Sequence, residues 1–243
     1  MGEKEMKEMG KLGAILREIN QRGFFKSIKR FKYMPYDINT ALEVIELIGK
    51  SRTPKFRIDD ENRFAYEQLV RWVHGDPAMQ ALDPETRQPK PGNLTAGIYI
   101  AGSTGSGKSW ALEIIAAYTS IDHVQIEIDG ETRNLWWQNK RADTICEEYS
   151  ETGSLQPYRT AQILGIQDFG SEPAESMYMG NRVNVLRQLL EYRGDRTDRL
   201  TLLTSNYSLA NHTLTDIYGE RVTSRLTEMC NYLEIFGTDR RKI

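Results

Sequence analysis

The stretch GSTGSGKS sets three glycines, a lysine and a serine at the spacing G-x-x-x-x-G-K-[ST], a full Walker A pattern. Gly102, Gly105 and Gly107 free the backbone to wrap a phosphate with its N–H groups pointing inward. Ser103, Thr104 and Ser106 complete the loop, Lys108 is placed to reach the terminal phosphates, and the Ser109 hydroxyl to complete a Mg²⁺ shell. The apolar run GIYIAG enters the loop and a helix-forming run, Ser109 to Tyr118, leaves it. This context predicts a strand–loop–helix unit whose helix N-terminus favours an anion, with ATP and Mg²⁺ as the expected ligands.

Hydrolysis on such a scaffold calls for a second strand ending in acids. One acid holds the metal through water and the next polarises the attacking water. The candidate strand, ILGIQDFGSEP, has Gln167 in the first place and Asp168 in the second. A glutamine carbonyl still accepts a hydrogen bond from a metal-bound water, without charge. In one arrangement Asp168 holds the metal's waters and Glu172 is the base. In the other Gln167 holds them weakly and Asp168 is the base. Strand residues alternate in direction, so the first needs a twist at the strand end. The second is preferred and implies weak Mg²⁺ affinity and slow turnover. Gln167 as a packing residue at a strand end is the bland alternative.

A further strand, LTLLTSNYS, ends in Thr204, Ser205 and Asn206, beside the phosphate-loop strand. A polar group there reaches a γ-phosphate or orients water, although Ser and Asn are also ordinary turn residues. YGERVTSRLTEM then places Arg221 and Arg225 four apart on one helical face. An exposed arginine can enter a neighbouring subunit's site to stabilise phosphoryl transfer, or make a surface salt bridge.

The elements that must position these groups read as an α/β fold. Strand candidates are 97–102, 124–129, 163–168, 200–206 and 232–237; helical stretches between them predict a mostly parallel sheet flanked by helices. A small helical region, residues 1–57, precedes the core assigned to 58–243. Within it FFKSIKRFKYMPY interleaves Lys26, Lys29, Arg30 and Lys32 with Phe24, Phe25, Phe31 and Tyr33. That mixture suits single-stranded nucleic acid, and suits better still an amphipathic helix with core aromatics. DDENRFAYEQLVRWVHG reads as a helix with acids in its first turn and Phe64, Leu69, Trp72 and Val73 packed inward. DPETRQPKPGN, 83–93, reads as a linker.

With 39% hydrophobic and 27% charged residues in 243, the composition is that of a soluble globular chain with one sizeable core. A net charge of −2 argues against a strongly basic nucleic-acid binder. No run reaches membrane-spanning length, MGEKEMKEMGK is no signal peptide, and Cys146, Cys230 and three histidines fit no metal spacing. A reduced, cytoplasmic protein is expected.

Taken in order, GSTGSGKS, ILGIQDFGSEP, LLTSN, YGERVTSRLTEMC and the closing GTDRRK resemble the helicase-loader ATPases of the DnaC type. That group belongs to the AAA+ superfamily of P-loop NTPases, beside the IstB-type transposition helpers. The resemblance spans roughly residues 94–243. It implies that Gly102 to Ser109 bind ATP, that Asn206 is sensor 1 and that Arg225 is the arginine finger, with Arg221 second. Arg240 or Arg241 would sense nucleotide. NLWWQNKRADTICEEYSETG, 134–153, resembles the helical insertion that contacts single-stranded DNA, with Trp136, Trp137, Lys140 and Arg141 as its test residues; core tryptophans are the alternative. Where the family has an acid pair, this chain has Gln167 and Asp168.

By the same resemblance the implied function is an ATP-dependent oligomer, joined through its arginine-finger interface, that engages a replicative DNA helicase and single-stranded DNA in DNA replication. An origin in a phage or mobile element is part of this expectation, as is a helicase-gripping role for residues 1–57. Two alternatives stay open: a transposition helper on duplex DNA, and a non-hydrolysing scaffold whose ATP cements assembly.

Overall fold

The structure is a computed structural model that describes residues 11, 13–15, 27–240 and 242. Phe24, Phe25, Lys26 and Arg241 lie outside the described residues. The chain runs β1 (Ile28–Arg30), α1 (Ile38–Arg52), α2 (Arg63–His74), β2 (Gln80–Leu82), β3 (Pro89–Pro91) and β4 (Gly97–Ala101). It continues through α3 (Lys108–Ile121), β5 (Gln125–Ile128), β6 (Glu131–Asn134), β7 (Gln138–Arg141), α4 (Ala142–Thr152) and α5 (Gln156–Thr160). Then come β8 (Ile163–Phe169), β9 (Ser176–Tyr178), β10 (Asn181–Val183), α6 (Val185–Gly194) and β11 (Leu200–Ser205). The last elements are α7 (His212–Tyr218), α8 (Glu220–Met229) and β12 (Cys230–Glu234).

Five strands form the central sheet in the order β12–β4–β11–β8–β7, every pair parallel. Both faces are covered, so the inner strands are apolar on successive residues. Along β4, Ile98 and Ile100 face one core with α1, α2 and α3, while Tyr99 and Ala101 face the other with α4, α6, α7 and α8. Ile28, Leu42, Ile45 and Phe56 share the first of these cores with Leu112 and Ile115 of α3. Each fully buried aliphatic side chain of this kind contributes about 1.5–3 kcal/mol.

Several local expectations change. VQIEID does form a strand, yet it stands outside the parallel sheet, paired antiparallel with β1 and β6. Its strict alternation, Ile126 and Ile128 buried between Gln125 and Glu127, is the pattern of a strand with one wet face. The fifth parallel strand is instead the polar QNKR of β7, which tolerates polarity because it is a sheet edge. Residues 134–153 therefore run from the end of β6 through the edge strand β7 to α4, with β7 and α4 part of the sheet and its flank. Trp137 is core, edge-on to Trp72 at 6.2 Å, while Trp136 is 55% exposed.

The described part of the basic–aromatic segment is the short strand β1 followed by irregular chain, and no helix, with Phe31 and Lys32 exposed. Arg30 is spent on the Leu94 carbonyl (2.7 Å) and the Trp72 ring, and Lys29 on Glu127. The 83–93 stretch is a β2–β3 hairpin, tied to β12 by Asn231, whose side chain bonds both backbone groups of Asn93. No acid lies in the first turn of α2; Asp59 to Glu61 precede it. Leu69, Trp72 and Val73 are buried as expected and Phe64 is partly so.

One buried cation joins the sheet to its flank. Arg193, at the end of α6, is fully buried and donates to Thr201 Oγ1 and to the carbonyls of Tyr158, Ala161 and Leu200 at 2.6–2.9 Å. Burial pushes its pKa down to about 9, which leaves it protonated at neutral pH. Arg193→Met leaves four acceptors without their donor while sparing the burial of a charge. Its net cost is expected to be about 3 kcal/mol, the low end for breaking a buried charged network. For a chain of this size that is a fall of roughly 6–12 °C in melting temperature by calorimetry. An unchanged melting temperature would show that water replaces the guanidinium.

Candidate nucleotide site

The C-terminal ends of β4, β11, β8 and β7 meet at one edge of the sheet, the edge where open α/β sheets bind ligands. A cavity of about 580 Å³ opens there, against the loop from Gly102 to Ser109. Gly105 and Gly107 hold φ of 79° and 99°, left-handed values that turn the loop into α3. Gly102 admits no side chain, since a Cβ would stand 1.9 Å from the Ile235 carbonyl oxygen. Thr104, Gly105, Gly107, Lys108 and Ser109 line the cavity; Ser103 and Ser106 instead brace the loop. Ser103 Oγ donates to the Gly237 carbonyl, and the Ser106 carbonyl accepts from Arg240.

Because β11 lies between β4 and β8, Asn206 comes beside the loop, as the sequence suggested. Lys108 Nζ donates to Asn206 Oδ1 at 2.9 Å and to the Ser103 carbonyl at 2.7 Å. An anionic phosphate at this point would find the ammonium already aimed across the loop.

Asp168 and Gln167 both line the cavity, in an unexpected arrangement. Asp168 sits at φ 58°, a left-handed conformation rare outside glycine, where the β8–β11 register shifts. Its N–H bonds Thr204 Oγ1 at 3.0 Å. The twist at the strand end is therefore present. It brings Asp168 Oδ1 within 3.4 Å of the Ser109 hydroxyl, which donates to it, and Oδ2 within 2.9 Å of Arg141 Nη1. The Gln167 amide nitrogen donates to the Ser109 carbonyl at 3.3 Å and to Glu113 Oε1 at 2.9 Å. Glu172 turns away from the cavity, accepting from the Gly170 N–H at 2.8 Å and from the Tyr218 hydroxyl, and burial raises its pKa. A carboxylate so enclosed is no base for water in the cavity.

Five further cavity residues were not read as nucleotide-site residues from the sequence: Arg52, Trp110, Glu113, Arg141 and Ser171. Glu113 follows Ser109 by one helical turn, a spacing visible once the loop is recognised. Arg141, read as a nucleic-acid contact, ends the edge strand beside Asp168 and also bonds Asp143; that pairing raises its pKa and lowers that of Asp143. Lys140 pairs with Glu148.

The late Arg240 reaches the loop. Its backbone N–H bonds the Gly105 carbonyl at 2.9 Å, and its guanidinium holds Asp59 at 2.7 and 3.0 Å. Hydrogen bonding to Arg240 is the main cause that keeps the Asp59 pKa below its ordinary value. A depressed carboxylate stabilises the fold above its unfolded pKa, about 3.9, and loses that contribution as pH falls through the folded value. The stability gap between the protein and its Asp59→Asn variant is thus expected to be constant at neutral pH and to close below about pH 4. Urea titrations across pH 2–7 check this; a gap unaffected by acid would refute it.

Arg225 and Arg221 lie away from the cavity, on α8. Arg225 is mostly buried, donating to the Glu191 carbonyl at 2.8 Å and pairing with Asp195. Arg221 is 63% exposed, with Asp195 at 3.8 Å.

As to Mg²⁺, no cluster of three His, Cys, Asp or Glu side chains that could hold a metal occurs among the described residues. The oxygen donors around Ser109 suit a hard cation that keeps its waters and is bound chiefly by substrate phosphates. They fit the ion on those terms.

No family model matches this chain, and no curated protein matches it. Similar solved structures include a putative primosome component from Streptococcus pyogenes serotype M3, 17% identical over 74% of this chain and 82% of its own, with a TM-score of 0.49. The DnaC helicase loader is 17% identical over 74% and 93%, TM-score 0.45. The replication initiator DnaA bound to AMPPCP and single-stranded DNA is 15% identical over 76% and 49%, TM-score 0.47. Likenesses this distant carry nothing about activity, so function rests on the residues themselves. No helix among the described residues is long and apolar enough to cross a membrane.

Proposed function

We propose that this chain is an ATP-binding AAA+ protein of the helicase-loader type, working as an oligomer on single-stranded DNA with a replicative helicase. The observation that carries the nucleotide part is the convergence of three strand ends on one loop. Lys108 is bonded to Asn206, and Ser109 stands beside Asp168. The loader part rests on the motif order of residues 94–243, with residues 1–57 as the helicase-gripping region.

In this reading the loop N–H groups and Lys108 bind the β- and γ-phosphates, and Asn206 orients the water that attacks the γ-phosphate. Mg²⁺, when bound, neutralises charge on the phosphates and is held by the Ser109 hydroxyl and, through water, by Asp168. That role for Asp168 is added to the one expected of Gln167, whose NH₂ is engaged by Glu113 and Ser109 while its carbonyl stays an acceptor. Arg240 ties the tail to the loop and reports its state. Turnover is slow, since Arg141 engages Asp168 and Glu172 faces elsewhere.

The test is calorimetry of ATP binding to the full chain, followed by sedimentation with ATP and either single-stranded or duplex DNA, then capture of a hexameric helicase. ATP-dependent assembly on single strands with helicase capture supports the reading. Filaments on duplex DNA without helicase capture would identify a transposition helper instead. Absence of ATP binding would end the nucleotide part.

A further inference from the structure

A carboxylate that no sequence motif marks stands in the nucleotide cavity. Glu113 lies on the face of α3 that carries Ser109, one turn on, and lines the cavity with Gln167 and Asp168. Its Oε1 accepts from Gln167 Nε2 at 2.9 Å, and its other oxygen pairs with Arg52 at the end of α1. A carboxylate at neutral pH only accepts, so Gln167 must turn its NH₂ to Glu113. Its carbonyl oxygen is then left as the acceptor it can offer. An acid at 167 would put two negative charges at hydrogen-bond distance, which is costly unless one is protonated.

From this we infer that the missing acid has moved from the strand to the helix. Glu113 supplies the negative charge that Gln167 lacks, and the Glu113–Gln167 pair would hold a water of the Mg²⁺ shell. The inference rests on the nucleotide reading above and deepens it. It accounts for a full phosphate loop beside an uncharged strand residue: the charge is kept, and the amide is the complement it requires. Arg52 pairs with Glu113 and balances its charge. Since Arg52 also stacks over Trp110, 5.4 Å from the ring centroid, the same contact docks α1 against the site.

The experiment measures the ATP affinity of the full chain in EDTA and at saturating Mg²⁺, and takes the ratio as the Mg²⁺ gain. Glu113→Gln is expected to cut that gain by about tenfold, the low end for groups that orient metal ligands. The exchange Glu113→Gln with Gln167→Glu puts the acid back on the strand and is expected to restore the gain. Arg52→Ala removes the docking contact and frees the acid of its counter-ion, so its gain is expected to equal or exceed the parent value. An undiminished gain in Glu113→Gln, or an equal loss in Arg52→Ala, would reduce the pair to a docking contact and overturn the inference. No ATP binding by the parent protein in either condition would be a failure of the nucleotide reading instead.

Discussion

Lys108→Ala is expected to weaken ATP binding by about 10- to 100-fold, since a hydrogen bond to a charged group contributes about 1.5–3 kcal/mol and each 1.4 kcal/mol is tenfold. The variant also strips the donor from the Ser103 carbonyl and Asn206 Oδ1, so the loop loses the brace that holds it against β11. Thermal unfolding gives an independent reading. A ligand at 100 times its Kd stabilises by about 2.7 kcal/mol, or roughly 5–10 °C for a chain of this length. ATP should raise the melting temperature of the parent by that amount and that of the variant by no more than about half as much. Equal shifts in both would place the triphosphate elsewhere on the molecule.

Arg221→Ala is expected to lower ATP turnover of the assembled protein by about 1000-fold, the lower end for an arginine supplied across a subunit boundary. Between the two arginines of α8, the motif order favours Arg225 and exposure favours Arg221. Arg221 projects into solvent, whereas Arg225 is folded back on the Glu191 carbonyl and Asp195 and packs over Gly194. Arg225→Ala should therefore lower the melting temperature and reduce turnover only in proportion to unfolding. Mixing separates the roles. Arg221→Ala subunits keep an intact loop and Lys108→Ala subunits keep the arginine, so a mixture should recover activity at the interfaces where both halves meet. A mixture as inactive as its components, or an active Arg221→Ala protein, would remove Arg221 from the site.

Contiguity in the chain governs how far the residues alone disclose this protein. GSTGSGKS needs nothing beyond itself and its flanks, because a phosphate loop is made of consecutive backbone N–H groups between a strand and the helix it starts. Asn206 was equally legible, since a polar strand end in a parallel sheet must emerge at the edge where β4 delivers the loop. Tertiary structure decided the rest. Pairing alone made QNKR the fifth strand and sent VQIEID to another sheet, because edge position and one wet face outweigh local apolarity. The left-handed turn at Asp168, the Glu113–Gln167 pair and the captivity of Arg225 each join elements distant in sequence. Such contacts depend on which side chains find one another once the sheet is assembled, and residue spacing carries no record of that.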